Sequence, residues 1–291
     1  MAQAWLELRR IIVCRAVLAC SCMRRLLVLL ALASQGPRCH FLGHQTTRHS
    51  RLSPRPRCRA PGKSGEEAFQ TLRNPSQLSA FDEDCVRQRQ LLLSEGNDWE
   101  MKSCSIRAGH RCRHGWPQVL VMDPVRASGK LGDMMRLTCP LLVSAIDAYE
   151  KEGAIDSYNE RVRRDEAWQS SLFTTNEAHK ALRKQFLAGR VDEMAAARQA
   201  MGDHIVDIIL TTGLSNMRFN SNTSDVKCLH AQVADELSRG GNAIGQQVLQ
   251  DLVQRGTDVT GTNLCCDQCD VRKPLEQSRW FFDRKKNRQW R

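Results

Sequence analysis

Two side chains able to bind metals or move protons stand one residue apart in Ser224-Asp225-Val226-Lys227-Cys228-Leu229-His230-Ala231. A thiolate is a nucleophile and a soft metal ligand; an imidazole is a base or a ligand. A second pair with the same spacing, Cys112 and His114, precedes Gly115-Trp116-Pro117. A glycine there suits a metal knuckle, because a tight turn aims backbone N–H groups at the ligand sulfur. A third thiol, Cys139, lies between Thr138 and Pro140. Thr138 reads as an N-cap and Pro140 as a first-turn residue. Cys139 is therefore expected at a helix N-terminus, where the macrodipole favours a thiolate.

The central expectation is one zinc ion held by Cys112, Cys139, Cys228 and a histidine, either His114 or His230. Structural zinc takes four tetrahedral N/S ligands, whereas three ligands and a water permit hydrolysis. Residues i and i+2 on a helix point to nearly opposite sides, so Cys228 and His230 share an ion only if Cys228 precedes the first turn. A rival pairing joins Cys112 and His114 to Cys266-Asp267-Gln268-Cys269, which has the spacing of half a zinc site. Three buried thiols that never meet are the bland alternative, cysteine being among the most buried residue types. No carboxylate stands at a telling spacing from these groups. The chain also has no phosphate-binding loop, dinucleotide fingerprint or nucleophile-elbow serine motif.

The elements that must position these residues follow from periodicity. Gln118–Met122 and Met134–Leu137 read as two strands around the turn Ser128–Gly132. Leu142, Ala145, Ile146 and Tyr149 line a helix ending at Gly153. Ile155, Tyr158 and Val162 begin a second that runs toward Trp168 and Leu172, and Ala178, Leu182 and Phe186 mark a third. Val191 through Ile209 make a fourth, up to Gly213. Leu229, Val233 and Leu237 make a helix ending at Gly240-Gly241, and Ile244, Val248 and Leu252 the last, before Gly256. These stripes are core faces, and His179 and His204 on them read as structural or surface histidines. Residues 64–110 read as a linker with an amphipathic helix over Phe81–Glu95, in which Cys85 and Cys104 are ordinary thiols. The expected fold is α+β, mostly α, with a small β-hairpin packed on a helical body and pinned by the metal site.

The 291 residues carry a formal charge of +11. Residues 1–63 hold 12 of the 43 Lys/Arg and one of the 32 acids, which leaves 31 of each in the remainder. The folded body is therefore balanced, and nothing in it calls for nucleic acid. Five of the 13 cysteines lie in the same leader; the other eight are too dilute for a disulfide scaffold. Met23-Arg24-Arg25 followed by an eight-residue apolar run reads as a signal peptide, with Met1 or Met23 as the start, and the run is far too short to span a bilayer. The basic, Ser/Thr/Pro-containing stretch after it has transit-peptide composition. Such a two-part leader points to a plastid, with a mitochondrion as the alternative. At the other end, 256–291 is a tail whose last part, 279–291, mixes aromatics with six Lys/Arg; only there would nucleic acid or an anionic surface find a partner.

Three separated motifs occur in one order: Arg111-Cys112 with Gly115-Trp116-Pro117; Leu137-Thr138-Cys139-Pro140-Leu141; and Val226-Lys227-Cys228-Leu229-His230-Ala231 with Asn242 and Ile244-Gly245. Over residues 107–255 this resembles the mainly bacterial family called domain of unknown function 501. The chain departs from that pattern in its hairpin turn, at Asp225, at Ala243, and at His114, where the family often has a second cysteine. Cys and His exchange as zinc ligands, so the metal expectation survives the last departure. The resemblance implies no activity. Two functions follow from the residues: an organellar zinc-stabilised module that binds another protein, or a metal- or thiol-dependent hydrolase using Cys139 or Cys228.

Overall fold

The computed structural model describes residues 63–90, 105–214, 224–261 and 268–273. The leader, Cys104, Cys266 and the tail 279–291 lie outside these residues. The described part is α+β and mostly helical, with one four-stranded antiparallel sheet. No described helix is long and apolar enough to cross a membrane.

The sheet runs in chain order: β1 (Ser76–Gln77), β2 (Ser105–Arg111), β3 (Pro117–Met122) and β4 (Met135–Leu137). β3 and β4 are the expected hairpin, registered Val119 to Leu137 and Val121 to Met135. β3 is buried along its whole length, as expected of a central strand covered on both faces. β1 and β2 were not foreseen. They come from the stretch read as linker, where Ile106 is the only large aliphatic of β2 and alternation gives no signal.

Helix α1 (Lys63–Gln70) and the short α2 (Ala80–Cys85) precede β2. Ala68, Phe69 and Leu72 enter the main core. After β4 come α3 (Pro140–Lys151), α4 (Ala154–Arg164), α5 (Glu166–Leu187), α6 (Val191–Met201) and α7 (Asp203–Thr211). The expected second and third helices re-divide at Asp165, whose carboxylate accepts from the N–H groups of Ala167 and Trp168 and so starts a new helix there. The expected fourth helix breaks at Gly202, at φ +84°. The N-cap of α3 is Cys139 itself, one residue later than expected.

Helix α8 (Leu229–Ser238) is the hub. It packs on β4, β2 and β3, on α3, and on α9 (Ala243–Gln254). Its apolar face, Leu229, Val233 and Ala234, joins Val119, Leu142, Ile146, Ile244 and Val248 in one core. Two glycines permit this closeness. A Cβ on Gly109 of β2 would lie 2.5 Å from Ser238 Oγ, and one on Gly245 would lie 2.2 Å from the Gln232 carbonyl.

Candidate metal site

The start of α8 answers the question of whether Cys228 and His230 can act together. Cys228 is the N-cap, with extended backbone (φ −160°, ψ 123°), and the helix begins only at Leu229. The thiol therefore escapes the helical i, i+2 opposition. Its Sγ lies 3.7 Å from His230 Nδ1. The same Nδ1 is 3.3 Å from Glu150 Oε1. Glu150 belongs to the last turn of α3, and its Oε1 also accepts from the Leu229 N–H at 2.7 Å, capping α8 from a neighbouring helix. The other ring nitrogen, Nε2, faces the Val143 carbonyl at 3.3 Å and Asp147 Oδ1 at 3.5 Å.

Glu150, Cys228 and His230 are the one set of three metal-capable groups, among the described residues, whose ligand atoms all lie within 4.8 Å of one another. Such a group can hold a metal ion. Cys228 and His230 line a cavity of about 680 Å³, together with Arg136, Asp147, Lys151 and Arg183. Burial alone would lower the His230 pKa; contact with Cys228 and Glu150 outweighs it and pushes the value up to about 10. Burial likewise works against the Glu150 carboxylate, but hydrogen bonds from His230 and from the α8 backbone hold its pKa below the usual range.

The expected single zinc site does not assemble from the described residues. Cys112 and Cys139 line a different, much smaller cavity together with Cys269. The reason lies in α3. Cys139 caps its first turn, whereas Glu150 sits in its last, about 16 Å further along at 1.5 Å per residue. His114 belongs to the Cys112 end: its Nε2 faces Arg113 Nε at 3.4 Å, and a Cβ on Gly261 would touch its ring at 3.5 Å. His230, not His114, is the histidine beside Cys228. Glu150 and Asp147 escaped notice because they precede Cys228 by 78 and 81 residues, and no local spacing reports a contact across that separation.

The chain turns tightly at Gly115, with its N–H groups paired to carbonyls and not to the Cys112 sulfur. Gly115 has φ +83°, its N–H donates to the Cys112 carbonyl, and the Cys112 N–H donates to the Trp116 carbonyl. His204 is exposed, while His179 is buried, donating or accepting at 2.8 Å with Asp235. Asp235 also takes both arms of Arg239 and the Asn242 amide. Asn242 caps α9 through the Gly245 N–H. The Asn242 and Gly245 positions thus hold α8 against α9 and take no part in the cavity.

A family model described as a protein of unknown function (DUF501) matches residues 108–250. Comparison with curated proteins and with solved structures gave no match.

Proposed function

Since residues 108–250 match a family whose description assigns no activity, the chemistry has to come from the site, and we propose that Glu150, Cys228 and His230 bind one divalent ion of the zinc class in a metal-dependent hydrolase. The observation that carries this reading is the division of labour on the His230 ring. Nε2 is held by a carbonyl and a carboxylate, which fixes the proton there, while Nδ1 faces a sulfur and a carboxylate oxygen. That is the arrangement of a ligating histidine with its outer partners. Bonds of ~2.0–2.3 Å at tetrahedral angles separate neighbouring ligand atoms by about 3.3–3.8 Å. The 3.3 and 3.7 Å contacts at Nδ1 match those edges.

Three protein ligands would leave one position of a tetrahedral ion open, and two of the three, Cys228 and His230, line the cavity. Its size suits a small molecule. When bound, such an ion supplies a Lewis acid and acidifies a water in the open position. Asp147 and the Val143 carbonyl act as positioning groups, setting the tautomer of His230. The expected protein-binding module rested on a closed four-ligand site, and a three-ligand cluster beside a cavity favours the catalytic alternative.

A second reading, Cys228 as a nucleophile activated by His230, draws on the placement of the thiol at the N-terminus of α8. Zinc content and thiol reactivity of the full chain separate the two. Cys228→Ser, His230→Gln and Glu150→Gln should each lose one metal equivalent relative to wild type. Unchanged metal content in all three, with fast selective alkylation of Cys228, would overturn the metal reading in favour of the nucleophile. The plastid destination is proposed alongside: a reporter fused to residues 1–63 should enter the organelle, and a cytosolic reporter would end that part.

A further inference from the structure

Four thiols from four separate parts of the chain gather at the other end of α3. Cys85 ends α2, Cys112 begins the knuckle after β2, Cys139 caps α3, and Cys269 lies in the segment 268–273. The Cys85 and Cys269 thiols hydrogen-bond to each other, and Cys112 is close enough to act on Cys85 electrostatically. Cys112, Cys139 and Cys269 line a cavity of about 10 Å³, with Gly261 at its wall. A void of that size takes a single water or ion.

The surroundings are those of anionic sulfur. Gln90 Nε2 donates toward Cys269 Sγ at 3.7 Å, and Gln118 Nε2 toward Cys139 Sγ at 3.8 Å. The indole N–H of Trp116, which also lines the cavity, is buried with no hydrogen-bond partner. Buried donors without acceptors are rare and call for an explanation, and N–H groups around a metal-bound thiolate are a common one.

We propose that Cys85, Cys112, Cys139 and Cys269 form a second, structural zinc site that fastens both flanks of the chain to the start of α3. Four thiolates around one ion is the ligand set of a closed, tetrahedral site. No three of these sulfurs lie within 4.8 Å of one another, against about 3.8 Å between sulfurs bound at ~2.3 Å, so binding would draw the thiols inward. The zinc expectation for Cys112 and Cys139 thereby keeps two of its ligands and exchanges Cys228 for Cys85 and Cys269. This site stands independently of the cavity cluster.

Metal content and X-ray absorption of the full chain test it. Wild type should hold two zinc equivalents, and Cys85→Ser or Cys269→Ser one. The Cys228→Ser variant should keep a single zinc whose first shell is sulfur alone at ~2.3 Å. If the serine variants do not fold, this spectrum decides without them. A nitrogen- or oxygen-containing shell in Cys228→Ser, no metal in it, or full metal in Cys269→Ser would overturn the four-thiol site. Loss of one of two zinc equivalents on Cys228→Ser, with the other retained, bears only on the cavity cluster.

Discussion

His230 is the titrating group on which the cavity site turns. In the metal-free chain its imidazolium faces Glu150, Cys228, Asp147 and the Val143 carbonyl. Its folded pKa, about 10, lies above the ordinary value near 6.5. A raised pKa contributes stability that is complete below about pH 6.5 and is lost as pH rises through 10. Urea midpoints of the metal-free protein should therefore fall between pH 7 and pH 10, and His230→Gln should flatten that fall. A slope unchanged in the variant would show that His230 is not the responsible group. Metal binding works in the opposite sense, because the ion must displace the Nδ1 proton. Zinc affinity should rise about tenfold per pH unit over the same interval, for each proton displaced. Calorimetric titrations at pH 7 and pH 8 measure this. Of the site, Cys228 and His230 were legible in the sequence, because a Cys-x-His spacing is visible locally. Glu150 was not, since on a helix face among Tyr149 and Lys151 it reads as solvated charge.

The helices were largely legible because each carries an apolar stripe at helical spacing. Their joints were less so. The break at Asp165 depends on a carboxylate choosing backbone N–H partners, and the one at Gly202 on a left-handed residue; neither interrupts the stripe. The packing of α8 on α9 was invisible, although it explains two motif positions. At Gly245 a Cβ would lie 2.2 Å from the Gln232 carbonyl and 2.7 Å from Glu236 Cβ. Gly245→Ala must push the helices apart and should lower the unfolding free energy by about 1–3 kcal/mol, the usual cost of overpacking. The buried Asp235 is the second lock between these elements. Burial works to raise its pKa, and His179 and Arg239 together hold it below the carboxylate range instead. Asp235→Ala would strand both bases and the Asn242 amide, costing about 3–5 kcal/mol. Chemical denaturation reads both losses. A neutral Gly245→Ala would mean that α8 and α9 do not approach as closely as described.

At the scale of the molecule, the matched stretch 108–250 is completed by chain on either side of it. Arg111, at the end of β2, makes a two-armed pair with Asp82 of α2 at 2.7 and 2.9 Å and reaches Ser76 Oγ in β1. Burial opposes the charge on Asp82, yet Arg111 and the Ser79 cap keep its pKa below the usual range. Arg89 reaches across to the carbonyls of Asp270 and Lys273, and Gln90 bridges the Pro117 carbonyl and Cys269. The two flanks thus meet each other over the start of β3. Sequence periodicity could not show this, because residues 76–77, 86–90 and 268–273 are too short to carry a pattern. Trimming the chain to 107–255 removes α1 with its buried Phe69, the buried Leu72 after it, the outer strand, and both flanking thiols. The trimmed chain should unfold at a lower denaturant concentration than the full chain and hold one zinc at most. It should keep the Glu150–Cys228–His230 ion, whose ligands all lie inside 107–255. Loss of that ion by a trimmed chain that is still folded would mean that the flanks shape the cavity site through the core they share with α8, to which the Arg73 N–H also donates at the Ser238 carbonyl.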